Sequence, residues 1–173
     1  MLLDNLSTDR LEFRRLSLAD KTALMEFYGD SEVTKYYMFE HDPETNCTKG
    51  IEKQLWRYKT YNVGMAGLIA KANNKLIGMC GLLHQNINDQ LYLEVGYGLM
   101  KQYWGNGYAI EAAKYCRDYA FKNKMADVLI SIIHPDNISS QKVASKNGMT
   151  INEKLEYKGH LIYQLSKEVW GNL

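Results

Sequence analysis

Residues 94–109 read EVGYGLMKQYWGNGYA, and this stretch decides the fold predicted for the rest of the chain. It begins in a strand predicted over residues 91–100 and ends in a helix predicted over residues 107–123. The first N–H groups of a helix have no partner inside the helix, and the helix dipole adds partial positive charge there. Gly105 and Gly107 let a ligand approach the backbone closely. The stretch therefore predicts a phosphate-binding loop.

Two common nucleotide-binding motifs do not fit this loop. A P-loop requires a Gly-Lys-Ser or Gly-Lys-Thr run, and the chain contains none. A dinucleotide-binding loop requires Gly or Ala at a position that Ile110 occupies. The acidic residue expected about 20 positions further on would be Asp127, which precedes the next predicted strand instead of ending it. Position therefore argues against both motifs.

The elements on either side of the loop follow from hydrophobic periodicity and turn residues. Strands are predicted over residues 11–16, 65–71, 76–84, 91–100, 128–133, 150–157 and 160–166. Helices are predicted over residues 18–28, 31–36, 45–60, 107–123 and 137–147, with a break at 41–44 and turns at 73–74, 86–90 and 158–159. Hairpins imply antiparallel pairing, and the strand–helix–strand unit implies one right-handed parallel crossover. The order predicts one mixed α/β (α+β) domain over residues 1–173.

The helix after the loop has one face of small residues that favours close packing on a sheet. This stripe consists of Ala109, Ala112, Ala113, Cys116 and Ala120. The polar residues predicted to lie off the stripe are Glu111, Lys114, Arg117 and Asp118.

The composition and net charge argue against several classes of protein. The net charge is +1, without the basic excess of a general nucleic-acid binder, so an RNA-binding role is disfavoured. No apolar run approaches the roughly 20 residues of a membrane span, and the first ten residues do not form a signal peptide. Three cysteines without CxxC spacing argue against disulfides and zinc, and no other metal cluster is expected. We therefore expect a cytoplasmic protein without a metal.

The loop contains the spacing Gln-x-x-Gly-x-Gly, formed by Gln102, Gly105 and Gly107. This spacing resembles the acetyl-CoA pyrophosphate loop of the GNAT superfamily of N-acetyltransferases. The longer runs 94–99 and 103–112 resemble the Rim branch, which includes ribosomal-protein N-terminal acetyltransferases. The resemblance extends in order to residues 8–11 with Arg14, 76–81, 137–140 and 146–149, so that it spans residues 8–165.

The resemblance implies a GNAT fold, in which a mostly antiparallel twisted sheet of six to seven strands has one splayed parallel pair and about four flanking helices. Acetyl-CoA would enter the gap of that pair, and its acetyl group would move directly to a primary amine in a ternary complex. The acceptor would be a peptide N-terminus or a small amine. Backbone groups near Leu99 and Met100 would hold pantetheine. The residues implied in binding acetyl-CoA are Leu99, Met100, Gln102, Tyr103, Trp104, Gly105, Asn106, Gly107, Tyr108, Ala109 and Asn137.

Glu94, Asn137 and Ser140 are the candidate catalytic residues. Strand alternation points Glu94 away from Leu93 and Val95, where its carboxylate is a candidate general base, or a group that only positions substrate. By resemblance, Asn137 contacts the cofactor or a water, and it also suits a helix N-cap. By the same resemblance, Ser140 donates to the departing thiolate.

Three features leave alternatives open. Ala144 occupies the position where many GNAT enzymes have a tyrosine general acid, which leaves a non-catalytic CoA-binding regulatory module as the alternative function. Gly96 and Gly98 suit a strand bulge, or else close packing. The chain is expected to be a monomer or a homodimer.

Overall fold

The computed structural model describes residues 3–173 as a single sheet with helices on both faces. The strands are β1 Leu6–Ser7, β2 Leu11–Arg14, β3 Gly64–Ala70, β4 Lys75–Ile87, β5 Gln90–Leu99, β6 Val128–Ile133, β7 Thr150–Ile151 and β8 Leu161–Ser166. The helices are α1 Lys21–Tyr28, α2 Ser31–Thr34, α3 Pro43–Tyr61, α4 Tyr108–Lys122, α5 Ile138–Lys146 and α6 Lys167–Trp170. Neighbouring strands follow the order β1-β2-β3-β4-β5-β6-β8-β7.

The mixed α/β fold with a mostly antiparallel sheet and one parallel pair is confirmed. Within residues 3–173 the sheet has eight strands instead of six to seven, and there are six α-helices instead of about four. The elements that the sequence did not predict are β1 and α6, with two and four residues. Segments of this length are too short to show a hydrophobic period. The predicted strand at 150–157 and the predicted helix at 31–36 are present in shorter form, as β7 and α2.

The parallel pair between β5 and β6 is brief. β5 is paired with β4 along its whole length, from Ile87↔Gln90 to Gly78↔Leu99. Its pairing with β6 is confined to Leu93↔Leu129 and Glu94↔Ile130. The two strands therefore diverge beyond Glu94, which leaves an opening in the middle of the sheet.

The small-residue stripe of α4 packs against the sheet, as predicted. Ala112, Ala113, Cys116 and Ala120 are fully buried, and the Cys116 Sγ lies 3.6 Å from the Cys80 Sγ of β4. Arg117, which was predicted to lie off the stripe, is nevertheless buried. Its guanidinium Nη1 donates to the carbonyl oxygen of Asn147 at 2.9 Å, so that the side chain is buried between α4 and the end of α5.

Two predicted turn boundaries need correction. The predicted break at 41–44 contains the start of α3, because the Asp42 carboxylate accepts from the Thr45 N–H at 3.0 Å and Pro43 occupies the first helical turn. The predicted turn at 86–90 is reduced to Asn88 and Asp89. Their φ values of 51° and 62° suit a two-residue hairpin of type I′.

The predicted strand over residues 150–157 is also wrong in length. Only Thr150–Ile151 pairs with β8, and an isolated bridge joins Tyr157 to His160. The Asn152 side chain ends the strand, since its amide donates to the Gln164 Oε1 at 2.8 Å and its Oδ1 accepts from the Lys154 N–H at 2.9 Å. Short Asn side chains commonly divert the backbone into turns in this way.

Gly96 and Gly98 do not form a bulge, because the register between β4 and β5 is continuous at both positions. They serve close packing. A Cβ added to Gly98 would lie 3.0 Å from the Phe27 ring and 2.5 Å from the Tyr37 hydroxyl. Glycine at this position therefore allows the α1–α2 region to approach β5.

Within residues 3–173, none of the helices combines the length and the apolar character that a membrane span requires.

The helical region after β2 starts with a short polar network. The Arg14 guanidinium donates to both oxygens of Asp20, at 2.9 and 2.6 Å, and the Ser17 N–H donates to the same carboxylate at 2.8 Å. Burial by itself raises the pKa of Asp20, but these hydrogen bonds and the charge of Arg14 lower it below its ordinary value.

We expect Asp20→Asn to reduce the free energy of unfolding at pH 7 by about 1.5 kcal/mol, because a charge-assisted network is lost. A lowered carboxyl pKa stabilises the fold above the unfolded pKa of about 3.9, and this contribution is lost as the pH falls through the folded pKa. Urea unfolding at pH 7 and at about pH 2.5 measures the difference. The exposed Asp9→Asn is the control, and an equal loss of stability at both pH values would contradict this account.

Candidate active site

A cleft of about 600 Å³ opens where β5 and β6 diverge. Its walls are α2, the end of β5, the loop between β5 and α4, and the first turns of α5. The predicted site residues that line it are Leu99, Tyr103, Trp104, Gly105, Gly107, Tyr108, Ala109, Asn137 and Ser140. The predicted residues Glu94, Met100, Gln102 and Asn106 are not part of this lining.

The N-terminus of α4 faces the cleft and has no side-chain cap. Gly105 and Gly107 have φ values of 76° and 80°, a left-handed conformation that glycine adopts at little cost. Four other helices begin with a side-chain cap, and the capping residues are Asp30, Asp42, Asn137 and Ser166. Like α1, α4 lacks a side-chain cap, and its first N–H groups and the positive end of a 15-residue helix lie at the cleft.

Arg10 contacts both the loop between β5 and α4 and the first turn of α4. Its Nε donates to the Glu111 Oε2 at 2.6 Å, and its Nη1 donates to the Asn106 carbonyl oxygen at 2.9 Å. The guanidinium carbon also lies 4.6 Å from the centre of the Tyr108 ring. The other Glu111 oxygen accepts from the Thr8 hydroxyl and from the Arg10 N–H. These contacts join the N-terminal segment to the loop, a role that the Thr8–Leu11 similarity did not reveal from sequence.

Lysines give the cleft a positive character. Lys35, Lys142 and Lys146 line it, whereas Glu32 is its one lining carboxylate and is bound to Lys101 at 2.8 Å. Single lysines on short or amphipathic helices give no distinctive pattern, and sequence reasoning did not assign them. Their charges favour an anionic ligand.

Leu99 and Met100 have main-chain groups that are already engaged. The Trp104 indole donates to the Leu99 carbonyl oxygen at 2.8 Å, and the Met100 N–H donates to the Ile77 carbonyl oxygen at 2.9 Å. The half-buried Tyr97 and Gly98 lie beside Leu99 in the lining. A contact between Met100 and a ligand stays a prediction.

Asn137 caps α5, because its Oδ1 accepts from the Ser140 N–H at 3.1 Å. The Tyr97 hydroxyl donates to the Ser140 carbonyl oxygen at 2.8 Å, which ties the end of β5 to α5 across the opening. Burial raises the pKa of Tyr97, so this hydroxyl stays protonated at neutral pH. The sequence placed Tyr97 in the strand predicted over residues 91–100 and did not assign it to the site. Ala144 is fully buried in the main core, and it is not among the cleft residues.

Glu94 lies at the point of divergence and is 8% exposed. Its Oε2 accepts from the Gln85 side-chain amide at 2.5 Å, and its Oε1 lies 3.5 Å from the Ile132 N–H of β6. Burial raises the pKa of Glu94, although these hydrogen bonds and the charges of Arg57 and Lys53 oppose the change. A carboxylate with a raised pKa is suited to accept a proton near neutral pH. Among residues 3–173, no group of three His, Cys, Asp or Glu side chains is arranged to hold a metal ion.

The chain is similar to known acetyltransferases in sequence and in fold. The family model described as acetyltransferase (GNAT) domain matches residues 10–150. The uncharacterized protein YkkB of Bacillus subtilis (strain 168) is 32% identical over 145 residues, which cover 83% of this chain and 84% of YkkB. The acetyltransferase structure from Agrobacterium tumefaciens str. C58 is 26% identical, covers 94% of each chain and has a TM-score of 0.82. RimL, a ribosomal L7/L12 alpha-N-protein acetyltransferase in complex with coenzyme A, matches at 16% identity over 94% of this chain and 97% of its own, with a TM-score of 0.73.

Proposed function

We propose that this chain, which belongs to the acetyltransferase (GNAT) domain family, transfers the acetyl group of acetyl-CoA to a primary amine. The observation that carries the proposal is the uncapped N-terminus of α4 at the cleft, preceded by left-handed Gly105 and Gly107. Because the N–H groups of this turn converge with lysines on one cleft, the site favours a pyrophosphate. Gly105 is exposed, and a Cβ added there would meet nothing within 4 Å, so protein atoms do not fill the space beside the loop.

The acceptor amine would reach the reacting carbonyl from the α3 side of the sheet, where Glu94 lies. Acetyl-CoA supplies an activated thioester. The amine nitrogen forms the amide bond as the carbon–sulfur bond breaks, and Glu94 takes the amine proton directly or through a water. Ser140 and Asn137 lie in the cleft at the start of α5, where we propose that they contact the cofactor and the leaving sulfur. A thiol with a pKa of about 8.5 leaves without a strong acid, so Ala144 does not prevent turnover.

The acceptor is either a peptide N-terminus or a small amine. The runs 94–99 and 103–112 favour the Rim branch, whose members include N-terminal acetyltransferases. The fold shared with RimL is consistent with this placement, but at 16% identity the likeness supports only the fold. A non-catalytic CoA-binding module is the second candidate, which Ala144 favours and Glu94 disfavours.

We also propose that residues 1–173 form one domain that acts in the cytoplasm as a monomer or homodimer. Cys47, Cys80 and Cys116 are all free and buried, which suits a reducing compartment.

Gly107→Glu should abolish binding of acetyl-CoA, because the new carboxylate meets the pyrophosphate at the helix terminus. We expect wild-type protein to bind acetyl-CoA in calorimetric titration and the variant to bind at least about 100-fold more weakly. Gly159→Glu is a matched control, since Gly159 has a φ of 72° and nothing within 4 Å of an added Cβ. Binding by Gly107→Glu equal to that of the control would refute the assigned pyrophosphate site.

Arg10→Ala should raise the dissociation constant of acetyl-CoA about tenfold, because the loop loses its hydrogen bond from Arg10 to the Asn106 carbonyl oxygen and the first turn of α4 loses the ion pair with Glu111. Steady-state kinetics should show a higher KM for acetyl-CoA and an unchanged KM for the amine. Arg15→Ala, which removes an exposed arginine over the Tyr58 ring, is the control. If both variants have wild-type affinity, Arg10 does not position the loop.

Glu94→Gln should lower kcat by a factor of about 100 to 1,000, because proton acceptance from the amine is lost. In wild-type protein, the raised pKa of Glu94 should shift the rising limb of the pH–rate profile to higher pH. In the variant, this limb should disappear. The variant should unfold at pH 8 at no lower temperature than wild type, since a carboxylate of raised pKa destabilises the fold above that pKa. An unchanged kcat and limb would assign Glu94 a positioning role.

A further inference from the structure

Two basic side chains of α3, Lys53 and Arg57, act on Glu94 by their charge on the side of the sheet opposite α4. Lys53 and Arg57 are separated by four positions, so they share one face of α3. Gln54 anchors that part of α3 to β3, since its Oε1 accepts from the Met65 N–H at 2.9 Å and lies 3.5 Å from the Arg57 Nη1. The charge of Lys158, in the turn before β8, acts on Lys53.

These cations have no matching carboxylate. Among residues 3–173, Lys53, Arg57 and Lys158 take part in no ion pair. Glu94 is the one carboxylate whose charge acts on both Lys53 and Arg57, yet it lies beyond ion-pair distance of them. Arg57 is half-buried, and burial lowers the pKa of its guanidinium, whereas Lys53 and Lys158 are exposed. A half-buried guanidinium without a carboxylate partner favours binding of an anion, and the two lysines add positive charge around it.

The neighbouring rings do not neutralise the cluster. The Tyr61 ring packs edge-on against His84 at 5.2 Å, next to the α3 cations. Burial and the charge of Arg57 lower the pKa of His84, so the imidazole is neutral at pH 7 and adds no further positive charge. The cluster therefore attracts an anionic ligand group and repels a cationic one.

We propose that the acceptor is a primary amine that also carries an anionic group, a carboxylate or a phosphate, which Arg57 and Lys53 bind while the amine lies at Glu94. This inference rests on the proposed acetyl transfer. The guanidinium of Arg57 offers two parallel N–H donors to a carboxylate or a phosphate. Lys53 and Lys158 add positive charge on flexible side chains, so they do not fix the orientation of the anion. The same cations disfavour the protonated amine, so they help to present the neutral nucleophile that acetyl transfer requires.

Matched acceptor pairs test the anionic group. The pairs are β-alanine with its amide, phosphoethanolamine with ethanolamine, and the peptide Asp-Ala-Ala-amide with Asn-Ala-Ala-amide; putrescine represents a cationic acceptor. We expect wild-type protein to acetylate the anionic member of at least one pair with a kcat/KM about tenfold higher or more, and to disfavour putrescine. The pair with the largest ratio identifies whether a small carboxylate, a phosphate or an acidic peptide supplies the anion.

Variants of α3 separate recognition from folding. Arg57→Gln should raise the KM of the anionic acceptor about tenfold and should change the kcat/KM of its neutral partner much less, whereas loss of structure would lower both alike. Arg57→Lys should retain much of the preference. Lys59→Gln, at an exposed position of the same helix, is the control.

Equal or better turnover of the neutral or cationic acceptors would overturn the inference, as would a preference that Arg57→Gln leaves unchanged. Acetyl-CoA titration of the same samples separates this failure from that of the proposed function. Binding of acetyl-CoA without turnover of any anionic amine overturns the acceptor class alone. Absence of acetyl-CoA binding by folded wild-type protein overturns the acetyltransferase proposal together with it.

Discussion

The separation of β5 from β6 after Glu94 is the constraint on which the rest of the site depends. Two parallel strands that stop pairing in the middle of a sheet leave polar backbone groups that need other partners. The chain meets this need in part with side chains, since the Glu94 carboxylate lies near the Ile132 N–H and the Ser131 hydroxyl donates to the Val95 carbonyl oxygen at 2.7 Å. The opening that remains holds the cleft, and the α4 terminus, the α5 cap and Glu94 all take their positions from it.

The two faces of the opening differ in what they present. Towards α4 and α5, backbone N–H groups and lysines face a cleft that suits a phosphorylated cofactor. Towards α3, the buried carboxylate of Glu94 lies in the field of Lys53 and Arg57, where we propose that an amine is deprotonated and its anionic group bound. The proposed direct transfer requires the donor and the acceptor to meet at one point, and the two faces of the opening would let them approach it from opposite sides of the sheet.

The sequence predicted the elements that long patterns define, and it missed contacts that only the folded chain creates. The strand before the loop, the small-residue stripe of α4 and the glycine turn each have a local signature, and each was found. Arg10 acts through Glu111, which is 101 positions away, and Arg57 reaches the neighbourhood of Glu94 only through the packing of α3 on β3. The strand predicted over residues 150–157 ends at Asn152, because the Asn152 side chain donates a hydrogen bond to Gln164. Long-range pairing of this kind has no period that a sequence window can detect.

The most direct test of the account is the response of the backbone N–H groups of residues 105–109 to acetyl-CoA, followed by NMR. The account predicts saturable shifts of these resonances, and it predicts that coenzyme A and acetyl-CoA shift them alike, whereas a pantetheine thioester that lacks the pyrophosphate leaves them unchanged. If acetyl-CoA shifts other resonances but not these five, the pyrophosphate lies elsewhere and the central claim is wrong.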